Sequence, residues 1–158
     1  MKLSTRARYA LRMMTVFAKH ADGSKVISLN EVARESKVSR RYLEQLVIGL
    51  KNNALLRGKS GKGGGYTLAQ PAGEIRIRDI IESAIGPINI VECVLNPDVC
   101  LKSEFCECRV LYSLINRRIT SVLDSLVLAD LLDSERLMDM VAMLDTDRSG
   151  EITREPCA

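Results

Sequence analysis

The sequence predicts a mainly α-helical chain with one small β-hairpin, and three features predict it. Apolar residues recur at helical spacing in several segments, two of them opened by a serine. Two short runs flank a basic, glycine-rich stretch, GKSGKGGG at 58–65, as strands flank a turn. A long aliphatic stripe begins near residue 108, behind a segment that lacks periodicity and holds four cysteines.

The first helix is read over 6–19, where Ala7, Leu11, Met14 and Ala18 share a face. The run AlaAspGlySer at 21–24 ends it. Ser28-Leu29-Asn30-Glu31 has the form of a capping box, so a short second helix starts there, with Leu29, Val32 and Ala33 inward. Ser39 caps a third helix. Its buried face is Leu43, Leu46, Val47 and Leu50, and Asn52-Asn53 stop it. The hairpin is read with strands at 54–57 and 66–69. A short helix at 78–85 is stopped by Gly86-Pro87. The long helix runs from about Cys108 to Leu126, with Leu111, Ile115, Ile119, Val122 and Leu126 in line and Val110 and Leu114 widening the stripe. So wide a stripe in so small a chain asks for a partner surface, and a twin copy in a homodimer is expected to supply it. A further short helix is expected over 134–144 and a polar, mobile tail over 145–158.

With 158 residues, no Trp and 4% aromatics, the core must be aliphatic. No apolar run is long enough to span a bilayer, and the first residues lack a signal-peptide pattern. The expected location is therefore the cytosol, with reduced thiols and no membrane partner. The net charge of +3 hides a contrast between halves. Residues 1–80 hold 16 Lys and Arg against 6 Asp and Glu, whereas the remainder holds 7 against 14. A basic first half points to a polyanionic partner.

Three helices followed by a hairpin is the order of a winged helix-turn-helix. A B-DNA major groove admits one α-helix, whose first turns reach the base edges. Those turns offer Arg40, Arg41, Tyr42, Glu44 and Gln45. Arg pairs with guanine, Gln with adenine, and Glu accepts from cytosine, while amides near Ser39 can hold a phosphate. The wing carries Arg57, Lys59 and Lys62, with Gly64 and Tyr66 at its return. Its glycines allow close approach to a sugar–phosphate ridge that the cations neutralise. A nucleotide-binding loop would need GxxxxGK[ST] entering a helix, and this loop enters a strand. A plain surface hairpin is the alternative. No catalytic triad, paired carboxylates or catalytic His is present, so an enzyme is not expected.

Four cysteines, Cys93, Cys100, Cys106 and Cys108, have the spacing C-x6-C-x5-C-x-C, and Cys157 lies near the end. Clustered thiols in a cytosolic chain suit a soft metal centre rather than disulfides. The two tight pairs of structural zinc sites are missing.

MKLSTRARYALR at the start, SerArgArgTyrLeuGluGlnLeu at 39–46, GKGGGYTL at 61–68 and LADLL at 128–132 resemble the Rrf-two family of bacterial regulators, the IscR/NsrR group. The resemblance spans about residues 1–132. It implies a homodimer that binds double-stranded operator DNA, mostly as a repressor. Many members of the family hold an iron–sulfur cluster and others hold no metal. Cys93, Cys100 and Cys106 look like the family's three cluster ligands. The family's variable fourth ligand is a His three residues after the last Cys or an acidic residue of the first helix. Those places hold Arg109 and Arg8 here, and a protonated guanidinium cannot ligate iron. Cys108 is the hypothesised fourth ligand, with Glu104, Glu107 or a small external thiol as fallbacks. The cluster type, [2Fe–2S] or [4Fe–4S], stays open.

The expected organisation is a winged helix-turn-helix DNA-binding domain at 1–86, a cysteine-rich cluster-binding loop at 87–107, a dimerisation helix region at 108–133, and a short helix with a flexible tail at 134–158. The expected function is a transcriptional regulator, a repressor, whose operator affinity follows a Cys-ligated cluster sensing redox state, iron, oxygen or nitric oxide. The alternative is the same fold without metal, sensing through thiols or a partner protein. Two features are discounted. His20 reads as a cation at a helix C-terminus. The calcium-loop likeness of 145–152 fails at Pro156, where a bidentate Glu is required.

Overall fold

The computed structural model describes residues 3–21, 25–100 and 106–148. Six helices and one hairpin follow in order: α1 Thr5–Lys19, α2 Leu29–Ser36, α3 Arg40–Asn52, β1 Leu56–Lys59, β2 Gly65–Leu68, α4 Ile77–Ile85, α5 Glu107–Ser125 and α6 Ser134–Arg148. Short 3-10 turns connect several of them.

Local sequence explains the helix starts. Ser4 accepts from the amide of Ala7 at 3.1 Å and opens α1. The capping box at α2 forms as expected: Ser28 Oγ accepts from Glu31 N at 3.3 Å, and Glu31 Oε2 accepts from Ser28 N at 2.9 Å. Those bonds to Ser28 hold the Glu31 carboxyl below its ordinary pKa. A lowered folded pKa stabilises α2 above the carboxylate range and loses that contribution as pH falls through it. Ser28→Ala is expected to cost about 1 kcal/mol, a change that urea denaturation resolves. Ser39 accepts from Tyr42 N and opens α3.

One aliphatic core joins α1, α2, α3 and α4. Phe17, Met13, Met14, Leu43, Leu46, Leu50, Ile80 and Ile81 lie within it, each essentially without solvent contact. Leu43, Leu46, Val47 and Leu50 are all buried, as their spacing predicts. α3 crosses α4 closely at Gly49, where an added Cβ would collide with the backbone oxygen of Ser83. His20 ends α1, and its Nε2 lies 2.9 Å from the Glu35 carboxylate.

The antiparallel hairpin pairs Leu56 with Leu68 and Lys59 with Gly65. Its first strand starts two residues later than the sequence reading, because Ala54 sits in a left-handed turn at φ 54°. Gly58 and Lys59 thus belong to the strand rather than to the loop. A third backbone segment joins the hairpin: Ile27 and Tyr66 exchange two hydrogen bonds of 2.9 Å. Gly65 permits this approach, since a Cβ there would strike the backbone of Ile27.

After α5 the chain returns to the core. Ile77 N donates to Leu126 O at 2.9 Å, and Leu128 N donates to Ile75 O at 2.8 Å. The Leu128 side chain is fully buried. The last helix extends to Arg148, beyond the expected 134–144, so the expected tail begins in helix. Residues 149–158, including Cys157, lie outside the described residues. Among the described residues, no helix is long and apolar enough to cross a membrane.

Candidate nucleic-acid interface and thiol segment

The first turns of α3 present Arg40, Arg41, Glu44 and Gln45 to solvent. Arg40 is already oriented: its Nε donates to Glu44 Oε1 at 3.0 Å and its Nη1 to Asn30 Oδ1 at 3.1 Å. Both groups are well exposed, so the pair organises the side chain more than it stabilises the fold. Tyr42 behaves differently from its exposed neighbours. It is half-buried, with its ring edge-on to Tyr9 at 5.4 Å. Arg12 lies over the Tyr9 ring at 5.9 Å. Ile48 is 62% exposed, one turn beyond Glu44 on the outer face of α3. The sequence reading missed Ile48 because an isolated apolar residue breaks no periodic pattern. It missed Asn30 because its contact with Arg40 joins two helices.

The wing stands beside this helix. Arg57, Lys59 and Lys62 are exposed, and Gly61 and Gly63 take positive φ at the hairpin tip. Ser28, Asn30, Arg40, Glu44, Gly64 and Tyr66 border one shallow concavity of about 240 Å³. The structure thus brings the start of α3 and the return strand of the wing to a common edge. Arg40 lines it, and Arg57, Lys59 and Lys62 of the wing are exposed, cations of the kind that neutralise a phosphate ridge.

The four cysteines of 93–108 sit far along the chain from this face. Cys93 and Cys106 are half-buried, Cys100 and Cys108 are exposed, and none is in a disulfide. Cys93 lies in a 3-10 turn at 92–94, Cys100 follows another at 97–99, and Cys106 immediately precedes α5. Cys108 lies in the first turn of α5, which starts one residue before the position read from sequence. Cys106, at the N-cap, keeps an extended backbone (φ -97°, ψ 105°), whereas Cys108 is helical. Arg109 is committed elsewhere: its Nε donates to Cys93 O at 2.9 Å. Glu107 is exposed, and Glu104 lies outside the described residues. Thiols on irregular backbone are the donors an iron–sulfur cluster takes, so the donor chemistry fits. Among the described residues, no three His, Cys, Asp or Glu side chains stand together as a metal site.

The helix α5 leaves Val110, Leu111, Leu114, Ile115 and Val122 exposed. Leu123 and Leu126 instead pack on the chain's own core. Of the stripe read from sequence, Leu126 packs on the core, while Val110, Leu111, Leu114, Ile115 and Val122 stay exposed.

A winged helix with an exposed basic edge is the architecture of DNA-binding transcription regulators. The chain matches, over residues 3–134, the family described as Rrf2, iron-dependent transcriptional regulator. It belongs to that family. It is 30% identical over 148 residues to the regulator IscR of Xenorhabdus nematophila, covering 94% of this chain and 89% of that one. It is 39% identical over 132 residues to the regulator CymR of Bacillus subtilis, covering 83% and 89%. The solved structure of CymR, described as the global cysteine regulator of B. subtilis, superposes with a TM-score of 0.70 at 37% identity, covering 83% and 95%.

Proposed function

We propose that the chain is an operator-binding repressor, working as a homodimer, whose affinity is set by chemistry at Cys93, Cys100 and Cys106. The observation that carries this reading is the shared edge of α3 and the wing, with free thiols on the segment that leads into α5. Arg40, Arg41, Glu44 and Gln45 reach base edges. Ser39, Tyr42, Arg57, Lys59, Lys62, Gly64 and Tyr66 meet the backbone. The exposed α5 face meets its copy. Residues 1–86 form the reading head, 87–107 the sensing segment, 108–133 the pairing region and 134–158 the terminal helix and tail.

Cys93, Cys100 and Cys106 would hold an iron–sulfur cluster, with Cys108 as fourth ligand. Bound there, a cluster supplies a soft-metal cross-link between thiolates and a redox-active charge. The protein's own part is mechanical. Residues 87–106 join α4 to α5, so their path sets where each reading head stands in the dimer. Half-sites one turn of DNA apart, about 34 Å, tolerate little displacement of either head. A local change in the thiol segment then becomes a change in operator affinity.

Anaerobically purified protein should be coloured and contain iron and sulfide. Serine at position 93, 100 or 106 should remove the colour. Serine at position 108 should alter the spectrum, and an unaltered one rejects Cys108 as a ligand. Colourless protein in which Cys93, Cys100, Cys106 and Cys108 all react with a thiol reagent favours a second reading, sensing by the thiols alone. The likeness to CymR, described as the global cysteine regulator of B. subtilis, supports that second reading.

DNA binding itself is checked by salt. Lys59→Ala and Lys62→Ala should each reduce the slope of log affinity against log salt by about one, measured by fluorescence anisotropy on a duplex selected from random DNA. Unchanged slopes would remove the wing from the interface.

A further inference from the structure

Residues 88–93, leaving α4, are held along α5 by two side chains that grip backbone. Asn116 is the one buried residue among those described in α5. Its Oδ1 accepts from Ile90 N at 3.1 Å, and its Nδ2 donates to Ile88 O at 3.2 Å. Arg109 stands seven residues earlier, about two turns away and so on the same face. Its Nε donates to Cys93 O. The earlier helix residue holds the later strap residue, so the strap runs antiparallel to α5.

The other end of the strap is tied to α4. Glu82 Oε1 accepts from Ile88 N and from Arg78 Nε, both at 3.1 Å. Arg78 Nη1 also donates to Asp124 Oδ2 of α5 at 2.9 Å. Ser83, next to Glu82, is where α4 touches α3 at Gly49. A connected path therefore runs from the Cys93 backbone through Arg109, the α5 backbone, Asn116 and Glu82 to Gly49, in the last turn of the reading helix. All of it lies within one subunit.

A loop that only needed satisfied backbone groups could turn them to water, since much of it is half-exposed. Asn116 instead buries its amide to fix the strap at two points. We propose that Asn116 and Arg109 are positioning residues that make 88–93 a rigid link, carrying a change at the Cys93 thiol to α3 inside a single subunit. This rests on the reading that Cys93 takes part in sensing. It differs from that reading in routing the signal through α4 rather than only through the spacing of the two heads.

The test compares operator affinity before and after anaerobic treatment with ferrous iron and sulfide, for wild type, Asn116→Leu and Arg109→Ala. If iron is not taken up, iodoacetamide-capped protein replaces the treated sample. The wild-type ratio should fall in the usual coupling range, about 5- to 150-fold. In both variants it should collapse to within about twofold, with untreated affinity little changed. Hydrogen exchange supplies the second readout. Treatment should alter exchange at α4 and around Gly49 in wild type, and the change should stop at the strap in the variants. Where Asn116→Leu loses its helical circular dichroism, Arg109→Ala, at a half-exposed site, decides the matter. Wild-type ratios in the variants overturn the link. A ratio of one in wild type overturns the sensing reading, and the link with it.

Discussion

Gly49→Ala is expected to destabilise the protein by about 1–3 kcal/mol, seen as a lower urea midpoint, and to weaken operator binding. Gly49 lies inside α3 without a positive φ, so no special backbone conformation demands glycine there. On helix propensity alone, alanine would stabilise by about 1 kcal/mol. The packing reverses the sign. The added methyl would overlap Ser83 O and stand 3.4 Å from Ser83 C. Both atoms are backbone of a packed helix, so no rotamer change relieves the contact. Relief requires α3 and α4 to move apart, which displaces the groove-reading face. A stabilised Gly49→Ala protein would show that the two helices are not in this contact.

Leu111→Asp is expected to turn a dimer into a monomer in sedimentation and to lower operator affinity by about a hundredfold or more. Leu111 is 54% exposed and sits among Val110, Leu114 and Ile115 on the outer side of α5. A carboxylate there costs the isolated chain little, because the site already faces water. In a dimer it would be buried without a counter-charge, at a cost of several kcal/mol. Two linked heads gain on the order of 10²–10⁴ in avidity over one, and a monomer forfeits that gain. A Leu111→Asp protein that stays dimeric and keeps its affinity would place the subunit contact on another surface.

The parts of this fold that were legible in sequence are those with a local cause. The Ser28–Glu31 box, the Ser39 cap and the four buried leucine and valine positions of α3 each follow from residues within two turns of one another. The same holds for α4, which ends at Gly86 as read. Features made by distant segments left no comparable mark. Nothing near Ile27 announces that it will pair with Tyr66, and Leu128 looks like any leucine of a helical run. Strand β1 was read two residues early because the left-handed turn at Ala54 is occupied by a residue that seldom adopts it. The stripe of α5 was found, but spacing cannot say which leucines serve the chain's own core and which face outward.

The candidate site divides in the same way. Arg40, Arg41, Glu44, Gln45 and the wing cations follow from the helix-turn-helix order; all are exposed, and Arg40 and Glu44 border the same concavity as Gly64 and Tyr66 of the wing. Tyr42 is grouped with them by adjacency; it differs in being half-buried, with its ring edge-on to Tyr9. The aliphatic stripe sets Cys108 at the start of a helix, as found, but the cysteine spacing says nothing of the backbone at 92–100 or of the hold of Arg109 on Cys93. Asn116 was passed over because a polar residue on an amphipathic helix ordinarily faces water.

Leu128 has a consequence for how this molecule comes into being. A nascent chain that has just delivered its hairpin has already made every side chain proposed to meet DNA. It still lacks the residue that plugs the centre of the head, and the two backbone bonds that seat it. Removing most of a buried leucine typically costs about 2–5 kcal/mol, a large share of a small domain's margin. A product of premature termination before α5 would thus be a weakly folded reader, poorly able to occupy an operator in place of the finished regulator.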